Sequence, residues 1–224
     1  MDPLSLVSSS SKMNEQVKKR IVAKKSFLQS TASEIEKLSG ISYPAFYVEP
    51  TLFVSTSPDD GGEIGILYAR TIPIEVNGKI SILVQLSAPL VLYATKSTLR
   101  TVMAHEFLHY LELVRRFSRR ELLSEISPET FFEEQHEDAT RAVDPSQIFP
   151  RRSRLAKDLQ RNFDGGFSNE KLNEKCRKFW IDRGLPTEKL PMGSNQVRVS
   201  VDSLARSSFD HEAVKLLKKI DSSM

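Results

Sequence analysis

Residues 101–113 read TVMAHEFLHYLEL, a run with apolar side chains on almost every face of a helical wheel. Val102, Met103, Phe107, Leu108, Tyr110, Leu111 and Val114 leave no broad polar stripe. A helix that is apolar all round belongs at the centre of a domain, wrapped by the rest of the chain. Within it sit His105, Glu106 and His109, which include two of the chain's four histidines. A buried carboxylate is costly unless something polar or metallic faces it. The stretch therefore constrains both the fold, which must enclose it, and the chemistry, which must account for its three polar residues.

On a helix, residues four apart lie one above the other on the same face. His105 and His109 can thus aim imidazole nitrogens at one metal ion. Glu106, displaced by one position, can hold a metal-bound water without replacing it. That is the mechanical content of H-E-x-x-H, two zinc ligands and a general base. Zinc lowers the pKa of its water towards about 7, and the carboxylate takes the proton as the water attacks a carbonyl. By composition, a chance match is expected about once in a few hundred chains of this kind. A buried helix whose histidines only bond to backbone would leave Glu106 unexplained.

The remaining chain supplies both classes of secondary structure. Val17, Ile21, Leu28, Ile35 and Leu38 fall on one stripe, which predicts a helix over 14–38 stopped by Gly40. From 44 to 87 the segments FYVEP, TLFVS, EIGILYA, TIPIEV and KISILVQLS are short, β-branched and partly alternating. Asp59-Asp60-Gly61-Gly62 and Asn77-Gly78 punctuate them, and Asn-Gly is a strong hairpin signal. They predict a twisted, mostly antiparallel sheet of three to five strands. A long helix begins near 95–97 and runs through the motif to about Phe117. Ser127-Pro128-Glu129 has the cap, the proline and the early acid of another helix start. That helix carries PETFFEEQHEDATRAV and ends before Asp144-Pro145. After Pro150 come the basic RRSRLAKDLQR, a Gly165-Gly166 break, a helix over 169–183, a loop GLPTEKLPMGSN, a short strand VRVSV and a closing helix FDHEAVKLLKKI. The expected class is α+β, with a flexible tail over 1–13, a main domain over 14–150, and a basic connector and small mainly helical C-terminal subdomain over 151–224.

Composition narrows the function. The chain has 224 residues, 39% hydrophobic and 27% charged, ordinary for a globular protein. No apolar run approaches the ~20 residues that cross a bilayer. The N-terminus, MDPLSLVSSSSKMN, lacks the basic region and long apolar run of a secretory signal. Cys176 is the single cysteine, so no internal disulfide forms, and the expected location is the cytoplasm. A net charge of +3 is too small by itself to imply nucleic acid.

A catalytic zinc needs a third protein ligand. On the helix expected over 128–143, Phe132, His136, Ala139 and Val143 form the face that packs inward, and His136 is the metal-prone residue of that stripe. Glu137 and Glu133 flank the same face and are alternatives, with Glu134 beside them; most of these glutamates must simply be solvated.

MAHEFLHY after a sheet, followed by an acidic segment ending HEDATRAV, resembles the zincin metallopeptidases and is most similar to their small gluzincin-like members. The resemblance covers roughly 44–145, with H-E-x-x-H as its one sharp motif. It implies a sheet packed on the active helix, an edge strand that cradles an extended peptide, one zinc ion per chain and a second helix returning the third ligand. It makes His105 and His109 ligands and Glu106 the base. KISILVQLS is the strand expected to pair with substrate. The family commonly carries a glutamate three residues before a small alanine, where this sequence has His136 before Ala139. A histidine third ligand is similar to the SprT-like proteases, whose third histidine follows the motif more closely than the step from 109 to 136. The metzincin pattern is absent, since YLELVRRFSRR follows the motif.

Other features have plainer explanations. RRFSRR at 115–120 and RRSRLAKDLQR at 151–161 can form a cationic surface for nucleic acid, or can be solvated helix ends that suit the helix dipole. The second is preferred. Trp180 and Cys176 read as core of the C-terminal part, and His211 as a surface helix residue. Tyr110 reads as core packing. The expected function is hydrolysis of peptide bonds in a peptide or protein substrate. The alternative is a non-catalytic zinc-site or nucleic-acid-associated binding protein on the same scaffold.

Overall fold

The computed structural model describes residues 2–57, 59–119, 143–163, 167, 169–191 and 200–222, and the backbone alone of 130–134 and 196–199. The order begins with helices α1 (Ser5–Ser9), α2 (Glu15–Val22) and α3 (Lys25–Ser39), then strands β1 (Phe46–Glu49), β2 (Leu52–Thr56), β3 (Glu63–Leu67), β4 (Ala69–Val76) and β5 (Lys79–Ser87). It continues through α4 (Ala88–Tyr93), α5 (Lys96–Arg119), β6 (Thr130–Glu134), α6 (Pro145–Ile148), α7 (Arg154–Phe163) and α8 (Glu170–Cys176). A π-helical turn (Arg177–Ile181), β7 (Thr187–Pro191), β8 (Gln196–Ser200), α9 (Val201–Arg206) and α10 (His211–Asp221) complete it. The class is α+β. No described helix is long and apolar enough to cross a membrane.

Local chemistry accounts for most boundaries. Asn14 accepts from the Val17 amide at 2.9 Å and starts α2. Gly40, at φ 73°, closes α3 in the left-handed conformation open to glycine. The stripe expected over 14–38 is thus real but divided between two helices. Asn77 (φ 53°) and Gly78 (φ 69°) both take positive φ and join β4 to β5 with Val76 opposite Lys79, the two-residue hairpin that the Asn-Gly pair predicts. Thr95 caps α5 by accepting from the Thr98 amide at 3.0 Å.

The sheets are smaller and more mixed than the expected antiparallel one. One has the order β1-β5-β4, with β1 parallel and β4 antiparallel to β5. The other has the order β3-β2-β7, with β7 parallel to β2. A two-stranded ladder pairs β6 antiparallel to β8, with Thr130 opposite Ser200. KISILVQLS, expected at an edge, is the central strand of its sheet, flanked on both sides by ladders. β4 is an edge, and Pro73 within it has no amide hydrogen to offer a further ladder.

Three expectations are corrected by long-range contacts. Within the helix expected over 128–143, residues 130–134 are strand, TFFEE being held by the β8 ladder, and residues 128–129 and 135–142 lie outside the described residues. Residues 2–13 are no tail: Leu4, Val7 and Met13 are buried, and Pro3 accepts from the Val48 amide at 2.8 Å. Three apolar side chains spaced through a serine-rich segment suffice to dock it, at roughly 1.5–3 kcal/mol each. TEKLP, expected as loop, is β7; its side chains are mostly exposed, so backbone pairing with β2 holds it.

Helix α5 is the axle. It touches α3, α7, α10 and strands β4 and β5, and its residues Leu99 to Phe117 are largely buried. Tyr43 donates to the Met103 carbonyl at 2.9 Å and stacks on Phe107. One hydrophobic cluster extends from Leu4 to Ile220 and takes in Leu155, Leu159, Trp180 and Leu217. Trp180 satisfies its indole N–H on the Pro186 carbonyl at 2.9 Å.

Ion pairs fasten the outer helices to the axle. Asp158 of α7 takes Arg100 of α5 at 3.1 Å and Arg161 at 3.0 Å, while Arg100 reaches Glu34 of α3 at 3.4 Å. At the far end of α5, Arg115 meets Glu112 at 2.8 Å and Asp221 of α10 at 3.7 Å, and Arg119 pairs with the same Asp221. Arg115 and Arg119 of the basic stretch after the motif thus help to fix α10.

Candidate metal centre

The 3.6-residue period of α5 sets His105 and His109 on one face, and packing sets their rings. Their Nε2 atoms face each other at 3.0 Å with ring planes at 87°. Burial, with His109 as neighbour, holds the His105 imidazole down to about 3, so it is neutral at neutral pH, and in the metal-free chain the two Nε2 atoms share a hydrogen bond. Two nitrogens on a tetrahedral zinc at about 2.0–2.1 Å stand roughly 3.3 Å apart. The pair fits such an ion after a few tenths of an ångström of adjustment.

A second ring fixes His105. Phe163, the last residue of α7, lies against it face to face, with centroids 3.7 Å apart and planes at 14°. Phe163 in turn stacks on Phe167 at 5.1 Å, and Phe167 meets Tyr68 edge-on at 5.9 Å. The aromatic row runs from the motif helix to the residue just before β4. Its position depends on the Asp158 ion pairs that dock α7.

Glu106 faces strand β4. It is 5% exposed, and the Thr71 hydroxyl of β4 lies 2.8 Å from its Oε2 and 2.9 Å from its own carbonyl oxygen. Burial pushes the carboxyl up to about 7, against the opposing effect of the Thr71 bond. The two contacts suit both protonation states. When Glu106 is ionised, Thr71 donates to Oε2. When Glu106 is protonated, its O–H can donate to Thr71 Oγ1, while the threonine hydrogen turns to the Glu106 carbonyl. A carboxylate whose affinity for a proton sits near neutral pH is tuned for general base work.

Beside His105 a cavity of about 600 Å³ opens between α5, α6 and α7, with Leu108, Val143, Leu159 and Phe163 among its walls. Val143 is tied back to α5 by its amide, 3.5 Å from the Leu108 carbonyl.

The donors brought together are the two histidines, with Glu106 on the intervening turn. Among the described residues no third His, Cys, Asp or Glu joins them. His136 and Glu137 lie outside the described residues. Glu133 and Glu134 lie in β6, described by backbone alone, whose partner β8 runs close to β4. Tyr110 is core, packed on Phe107 at 5.9 Å. His211 is exposed at the start of α10 beside Glu212. Cys176 is buried.

Two participants were not visible in the sequence. Thr71 has no pattern that marks it; only the packing of β4 against α5 brings its hydroxyl to Glu106. Phe163 ends a strongly amphipathic helix, and an aromatic residue at that apolar edge was the one available hint. No protein-family model, no curated protein and no solved structure matches the chain.

Proposed function

We propose that the chain is a zinc-dependent metallopeptidase of zincin type. The observation that carries this proposal is the facing pair of imidazole nitrogens, 3.0 Å apart, with a buried carboxylate on the next residue. His105 and His109 would hold the ion, with a third ligand from the segment holding His136, Glu137 and Glu133. When bound, zinc supplies Lewis acidity and lowers the pKa of a water towards neutrality.

The chain's own residues do the rest. Glu106 accepts the proton of the attacking water at a carboxylate oxygen as the new C–O bond forms. It then delivers that proton to the departing amine nitrogen as the C–N bond breaks. Thr71 keeps the carboxylate oriented throughout, because it partners either protonation state. Phe163 holds the His105 ring plane and walls it from bulk water. Extended substrate belongs along β4, not β5, whose two edges are taken by β1 and β4. A non-catalytic zinc site has no use for a base of this tuned basicity, which favours the enzyme over the binding protein.

The test is digestion of a mixed peptide library by the zinc-loaded chain, with new termini identified by mass spectrometry. Cleavage by wild type that disappears in Glu106→Gln supports the proposal. Equal behaviour of the two proteins refutes it.

A further inference from the structure

The cavity beside His105 has a charge pattern that the hydrolytic chemistry does not need. Its inner wall is apolar, formed by Leu108, Val143, Leu159 and Phe163. Arg151 and Lys157 line its outer part, and both are exposed. The neighbouring cations on α7 are committed elsewhere. Arg154 and Arg161 lie 3.8 and 3.0 Å from Asp158, which Arg100 also meets. Arg151 and Lys157, by contrast, make no ion pair among the described residues. Asp144 is the lining's one carboxylate among the described residues, and one of its oxygens accepts from the Ser146 amide at 2.8 Å as the cap of α6. The result is an apolar slot next to His105, with two cations at its mouth that pair with no described carboxylate.

We propose that this cavity is a substrate subsite for a residue that carries a carboxylate, its stem against Leu159 and Phe163 and its charge between Arg151 and Lys157. This inference rests on the peptidase assignment, which it deepens by naming a substrate class. Charge-assisted hydrogen bonds of a guanidinium and an ammonium to carboxylate are the strong members of their kind. The apolar wall takes the methylenes that water solvates poorly. The carboxylate can come from a glutamate or aspartate side chain, or from the free C-terminus of a peptide.

Equilibrium binding separates this inference from catalysis. Fluorescein-labelled extended octapeptides are titrated with the full metal-free chain at low salt, and anisotropy is read. One pair differs by Glu against Gln at a central position, and another by a free against an amidated C-terminus. At least one pair should show about tenfold tighter binding of the carboxylate member. The pair that does so identifies the source. Arg151→Gln/Lys157→Gln should abolish the difference, and Arg152→Gln, an exposed neighbour outside the lining, should preserve it. All three substitutions are at exposed positions, and unchanged urea midpoints confirm intact folds. No discrimination by wild type, or discrimination that survives the double substitution, overturns the subsite. Library cleavage without acidic preference, alongside flat binding, leaves the peptidase standing without it. Carboxylate-selective binding with no hydrolysis keeps the subsite and removes the peptidase.

Discussion

Glu106, the proposed general base, carries a stability cost of its own. Its carboxyl is pushed from an ordinary 4.5 up to about 7 by burial. In the metal-free chain the unfolded state therefore ionises before the folded one as pH rises through that window. Below about 4.5 both states are protonated and there is no cost; above about 7 the full cost is present. Glu106→Gln should accordingly raise stability at pH 8.5 by the order of 2–3 kcal/mol. Urea unfolding in EDTA should show the gain shrinking as pH falls towards 4.5. His105 acts with the opposite sign, since its depressed value makes the folded state refuse a proton that the unfolded state accepts below about 6.5. The same Glu106→Gln variant should lose hydrolysis by about 10²–10⁴-fold, so activity and stability move in opposite directions. Thr71 gives a second handle. Thr71→Val removes the hydroxyl 2.8 Å from Oε2 and should lower kcat about tenfold with zinc content unchanged, while Thr71→Ser should stay near wild type. Steady-state kinetics with metal analysis on both variants checks this, and a kcat loss accompanied by zinc loss would mean that Thr71 is merely structural.

Helix α7 is held at the site by charge as much as by apolar contact. Asp158 is 6% exposed and gathers Arg100 and Arg161. Asp158→Ala leaves the half-buried Arg100 with one acidic partner among the described residues, Glu34. The loss should be about 2–4 kcal/mol, read as a lower urea midpoint at constant m-value. Activity should fall too, since Phe163 rides on this helix. The element scale also shows what could be inferred from the chain alone. The α5 motif, the Asn77-Gly78 hairpin and α10 were legible because caps, turns and 3.6-residue periodicity are local. The strand over 130–134 was not: Ser127-Pro128-Glu129 and the glutamates argue for helix, while the β8 partner that decides the matter lies more than sixty residues away. β7 was missed for the same reason, since backbone pairing leaves little trace in exposed side chains. Of the site, His105, Glu106 and His109 were legible as a helical spacing. Thr71 and Phe163 reach them from β4 and α7 through packing, with no short-range signature.

At the scale of the whole molecule, the cluster running from Leu4 to Ile220 links folding to the proposed metal binding. A ligand that binds only the folded chain adds about 4 kcal/mol at a thousandfold excess over its Kd. Zinc should therefore raise the thermal midpoint of wild type in differential scanning calorimetry, and His105→Ala should erase that rise. The metal-free chain should remain folded, because its core does not depend on the ion; a chain unfolded by EDTA would contradict this. The central claim is that His105 and His109 form a metal site served by Glu106. The most direct measurement is zinc per chain by elemental analysis, on wild type, Glu106→Gln and His109→Ala purified without added metal. The account predicts about one zinc in the first two and far less in the third. Wild type that stays free of zinc even after reconstitution, or His109→Ala that keeps a full complement, would contradict it.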